Sequence, residues 1–134
     1  MRRAGLVLAA FVAALLPGRA PAQEVDCANA MTQRDMNLCA ARAYDAADAE
    51  LNRVWRAVIA ELRRWVQYLP EGAAPAEETM RQAQRAWIPF RDAACEAESY
   101  MARGGSMQPL LRFGCLARLT ERRTEDLREI LDGG

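Results

Sequence analysis

The chain has 134 residues with 18 basic and 18 acidic side chains, and it contains no histidine. Every base is an arginine, so composition alone excludes an imidazole general base, a lysine Schiff base and the common histidine-containing zinc sites. The length suits one domain, near the size at which a single core is only marginally sufficient and crosslinks are expected to help.

The first residues, MRRAGLVLAAFVAALLPGRAPAQ, open with Arg2 and Arg3, continue as an apolar run from Ala4 to Leu16 and reach Ala20-Pro21-Ala22 before Gln23. This order predicts a secretory signal peptide over residues 1–22. The apolar run is about 13 residues against the roughly 20 of a stable span, so no lasting membrane insertion is expected once the leader is removed. A lipid anchor is not expected either, because Cys27 follows Gln-Glu-Val-Asp and not a lipoprotein-type site. Residues 23–134 are then one exported helical domain, periplasmic or secreted. Arg2, Arg3 and Arg19 leave with the leader, so the domain is acidic by three charges. That balance argues against nucleic acid and tolerates a basic protein partner.

After a short lead-in, Thr32-Gln-Arg-Asp35 has the form of a capping box and predicts a helix start. Tyr44, Ala47, Leu51, Val54, Val58, Leu62, Trp65 and Leu69 recur at steps of three and four, which predicts one long amphipathic helix ending at Pro70. PEGAAPAEE reads as a linker, and Glu77 and Glu78 suit the first turn of a second helix. Its expected apolar stripe is Met80, Ala83, Trp87, Phe90, Ala94, Ala97 and Met101, with Pro89 kinking the helix without breaking it. ARGGS makes the next turn, with two glycines for left-handed backbone and Ser106 as the expected cap. A third helix from about Met107 carries Leu110, Phe113, Ala117, Thr120, Thr124, Leu127 and Leu131. The fold class is therefore all-α, an antiparallel three-helix bundle.

Four cysteines in an exported small domain imply two disulfides. Cys95 lies nine residues before Gly104 and Cys115 eleven after it, so the two sit at similar heights on facing helices of a hairpin. Cys39 stands about 10 Å up the first helix from its cap. The lead from Cys27 extends roughly 16 Å, enough to fold back and reach it. The expected pairs are Cys27 with Cys39 and Cys95 with Cys115; a crossed pairing tying the lead-in to the hairpin is the alternative. The spacing suits neither a C-x-x-C redox pair nor a metal clip, and no metal or cofactor is expected.

The segments TQRDMNLCAARAYDAADAELNRVW, AQRAWIPFRDAACEAE and GGSMQPLLRFGCLARLTERRTEDL together cover most of Cys27 to Leu127. In them the chain resembles the LprI-like family of bacterial envelope proteins, named for a lysozyme-inhibiting lipoprotein. The resemblance implies an exported helical domain with disulfides and, by extension, a binding protein that blocks a lysozyme, possessing no catalysis of its own. Two features depart from that pattern: the lipid-anchoring cysteine of the named member is missing, and Pro89 stands where an ordinary helix former is expected.

Among the matched residues, Thr32 and Asp35 read as capping, Trp87 as core, and Asp48 with Asn52 as a hydrogen-bonded seam between helices. Arg91 with Asp92 is expected to bridge to Arg123 or Glu125 on the third helix. Arg103, Gly104, Gly105 and Ser106 are the candidate partner-binding residues: a glycine turn close to a disulfide is preorganised, and Arg103 suits the carboxylates of a lysozyme cleft. The competing reading is a plain interhelical turn. Asp92, Glu96 and Glu98 are the carboxylates on which a hydrolase would have to rest, although their spacing on a helix reads more simply as a solvated face. A non-catalytic accessory or structural role in the envelope is the alternative function; its sign would be an apolar stripe left exposed after the helices pack.

Overall fold

The computed structural model describes residues 24–133. The predicted leader, residues 1–22, lies outside the described residues. Three helices, α1 (Gln33–Arg64), α2 (Ala76–Ser99) and α3 (Gln108–Asp132), run antiparallel, and three single 3-10 turns occupy Cys27–Asn29, Trp65–Tyr68 and Tyr100–Ala102. Neither strand nor helix long and apolar enough to cross a membrane occurs among the described residues.

Helix α1 begins where its cap predicts. The Thr32 hydroxyl accepts the Asp35 N–H at 3.1 Å, satisfying one of the free amides of the first turn. Its buried residues Ala47, Leu51, Val54, Val58 and Leu62 follow the expected stripe, and Ile59 is buried beside them. The α-helical part stops at Arg64, and residues 65–68 tighten into a 3-10 turn in which Leu69 N–H reaches Val66 C=O at 3.3 Å. Pro70 accounts for the stop, since it drives Leu69 into extended backbone.

Helix α2 runs unbroken through Pro89, as expected. Its buried face differs from the predicted one. Arg91, Cys95 and Ser99 are buried, Met80 and Trp87 are half-buried, and Phe90 and Met101 of the expected stripe stand 62% and 83% exposed. The disulfide explains the rotation. Cys95 has to face Cys115 on α3; Arg91, four residues earlier, shares that face, whereas Phe90 lies well round the helix from it.

The α2–α3 turn also departs in detail from expectation. Only Gly104 takes positive φ, at 78°. Ser106 does not cap α3, whose N-cap is Met107 without a side-chain bond; Gln108 reaches back instead, its Oε1 accepting Gly104 N–H at 3.0 Å.

Two apolar clusters form the interior. Leu51, Val54, Val58 and Leu62 of α1 meet Leu127 of α3, with Trp55, Trp65, Met80 and Trp87 against them. Cys95, Cys115 and Leu116 form the second, under Tyr44 and Phe113. Both disulfides pair as predicted, with Cα–Cα distances of 5.5 Å for Cys27–Cys39 and 5.4 Å for Cys95–Cys115. In the loop-entropy description each contributes about 3 kcal/mol.

Candidate functional site

The turn between α2 and α3 lies at the end of the bundle where α1 begins, and three sets of bonds hold it. Arg103 N–H reaches Tyr100 C=O at 3.0 Å, and Gly105 N–H reaches Ala102 C=O at 2.9 Å. Gln108 bonds Gly104 and, through Nε2, the buried Ser99 hydroxyl at 3.4 Å. From α1, Asn37 Nδ2 donates to Ser106 C=O at 2.9 Å, and Asn37 is itself held by Gln33 Nε2 at 2.9 Å. Below them the Cys95–Cys115 bridge fastens both helices of the hairpin.

The four predicted residues therefore lie together in one ordered, exposed turn. Arg103 is stacked on the Tyr100 ring, 4.3 Å from guanidinium carbon to ring centre. The reason is local: in a 3-10 turn side chains three residues apart eclipse. Arg103 has no carboxylate partner among the described residues, as is also true of Arg34, Arg42, Arg56 and Arg122, while Arg63 pairs with Glu77 at 2.8 Å, Arg112 with Glu96 at 3.1 Å and Arg118 with Glu98 at 2.7 Å. Next to the turn in the chain, Tyr100, Met101 and Met107 are exposed. Sequence reasoning overlooked Asn37, Gln108 and Tyr100. Tyr100 was detectable from its spacing to Arg103, whereas the Asn37 bond joins residues 69 positions apart and leaves no local trace.

Along the bundle the other predicted residues take structural places. Asn52 Nδ2 donates to Asp48 Oδ2 at 2.9 Å within α1, so this bond is not the expected seam between helices; only Asp48 reaches a second helix, through Arg91. Arg91 pairs with Asp92 at 2.9 Å, but its further partners are Asp48 on α1, at 3.5 Å, and the Thr120 hydroxyl on α3, at 3.3 Å. The expected bridge to Arg123 or Glu125 does not form; Arg123 donates to Gln84 Oε1 at 3.1 Å. The Arg91 guanidinium sits between two rings, 5.4 Å from the centre of Tyr44 and 5.0 Å from that of Trp87. Burial raises the Tyr44 hydroxyl pKa above the usual phenol value, against the opposing pull of Arg91. Asp92, Glu96 and Glu98 are distributed over separate ion pairs with Arg91, Arg112 and Arg118 and do not converge on a common cavity.

The chain is 43% identical over 135 residues to an uncharacterized protein of Rhizobium meliloti (strain 1021), an alignment covering 98% of this chain and 97% of that protein. No solved structure matches it. The family model described as Lysozyme inhibitor LprI matches residues 26–127, a span that contains both disulfides, all but the last turn of the bundle and the 103–106 turn. On that match, the chain belongs to the LprI lysozyme inhibitor family.

Proposed function

We propose that this protein is an exported, non-catalytic inhibitor that enters the cleft of a lysozyme with its 103–106 turn. The observation that carries the reading is the stack of Arg103 on Tyr100 at the exposed end of a disulfide-fastened hairpin. Lysozymes cleave with a pair of carboxylates, and a guanidinium placed between them forms charge-assisted hydrogen bonds. The turn is already ordered by Gln108 and Asn37, so little conformational entropy is lost when it docks. The exposed Met101 and Met107, which flank the turn in the chain, add adaptable apolar side chains. Removal of the leader at residue 22 and export to the periplasm or medium belong to the same proposal, which the two disulfides support. The test is a cell-wall lysis assay with c-type lysozyme and the purified exported form. Inhibition is expected, weakened about tenfold to a hundredfold by Arg103→Ala; absence of inhibition at tens of micromolar overturns the reading.

A second reading, an accessory protein of the envelope, is favoured by one feature. Ala83, Phe90 and Ala97 of α2, continued by Met101 in the following 3-10 turn, present an exposed apolar strip. Under this reading Phe90→Glu abolishes capture of an envelope partner and leaves lysozyme inhibition unchanged.

A further inference from the structure

Between α1 and α2, away from the turn, a groove of about 220 Å³ opens above the buried Arg91 side chain. Its size is below the roughly 300–1,000 Å³ of pockets that hold drug-sized ligands, so it has room for about one ring. Three apolar side chains line it, Leu51 and Trp55 of α1 and Ile88 of α2. Polar groups of both kinds join them. Asp48 and Asn52 bring acceptors from α1, and Arg81, Gln84, Arg85 and Arg91 bring donors from α2.

The hydrogen-bonding capacity of this set is only partly used. Asn52 donates to Asp48, which leaves its Oδ1 without a donor among the described residues. Gln84 accepts from Arg123 through Oε1, and its Nε2 has no acceptor among them. Arg85 bonds Glu78 through Nη2 alone, and the Trp55 indole N–H has no partner among the described residues. The guanidinia of Arg81, Arg85 and Arg91 are already paired with Glu77, Glu78 and Asp48, so an anion would meet no uncompensated positive charge. An apolar ligand would leave several donors and acceptors covered and unpaired, at a cost in desolvation. The chemistry that fits is a ring whose hydroxyls donate and accept at once and whose C–H face lies against an aromatic side chain.

We propose that this groove binds a single sugar ring, either free or at the end of a glycan. Asp48 holds Asn52 on one wall and pairs with Arg91 beneath, so the acceptors are positioned before the ligand arrives. This site is separate from the 103–106 turn, and its occupancy does not depend on lysozyme inhibition.

A heteronuclear NMR titration following the three tryptophan indole N–H resonances tests the proposal, with glucose in one arm and the N-acetylglucosamine trimer in the other. The Trp55 resonance is expected to shift saturably in at least one arm; both arms shifting indicates a free-sugar site, the trimer alone a glycan site. Trp65, whose indole N–H is bonded to Glu61 Oε1 at 3.1 Å outside the groove, serves as the control and should stay fixed. Asn52→Leu and, independently, Gln84→Leu should each weaken the titration about tenfold in protein that keeps the wild-type spectral dispersion at the assay temperature. If Trp55 remains fixed with both sugars at tens of millimolar, or Trp65 moves equally, the proposal is overturned.

Discussion

Arg91 is 6% exposed, and its charge is compatible with that position because Asp48, Asp92, the Thr120 hydroxyl and two aromatic faces surround it. The two carboxylates remain 40% and 47% exposed, so they stay hydrated if the guanidinium is removed and no strongly buried charge is orphaned. Removing the side chain mainly forfeits packing and ring contacts. Arg91→Ala is therefore expected to cost about 2 kcal/mol, and Arg91→Met to recover much of that, as read from urea denaturation midpoints. The residue and its neighbour Asp92 are conspicuous in the sequence as a charged pair, yet the sequence pattern does not disclose the destination on α1. Nothing in a run of adjacent residues specifies which of two other helices lies opposite.

At the scale of elements, the α1–α2 join is tied by Glu77, which accepts from Arg63 at 2.8 Å across the linker and from Arg81 at 2.8 Å one turn on. Hydrogen bonds from Arg63 and then Arg81 pull the Glu77 carboxyl from its ordinary 4.5 to about 2. The folded chain thus holds this carboxylate ionised where the unfolded chain would take up a proton. Its contribution to stability is whole above pH 4.5 and is lost as the pH falls towards 2. Wild-type stability should decline more steeply through that window than that of Glu77→Gln, a difference measurable by urea denaturation at a series of pH values. The α2 helix itself shows the limits of periodicity. Ala83, Phe90, Ala97 and Met101 keep good step spacing and are nonetheless exposed, because a covalent bond at Cys95 decides which side of the helix faces α3.

In the whole molecule the two disulfides differ in their surroundings. Cys95 and Cys115 are buried in the second core cluster, whereas Cys27 is exposed on the lead-in. A thiol reductant should open Cys27–Cys39 first, with Cys95–Cys115 following only as the bundle loosens; alkylation followed by peptide mass analysis over time distinguishes the two. The first event frees a short lead-in from α1, and the second releases the turn that carries Arg103.

Helix number, the Thr32 start, the stop before Pro70, the passage through Pro89 and the pairing of the cysteines are legible in the linear chain. Each follows from interactions within a few residues or from the simple geometry of a hairpin, so spacing contains the information. The buried side of α2, the partners of Arg91, the Asn37 tie that holds Ser106 and the groove between Asp48 and Gln84 belong to the folded state. They arise where distant stretches meet at a relative rotation and height that packing of all three helices sets together, a relation no single stretch contains.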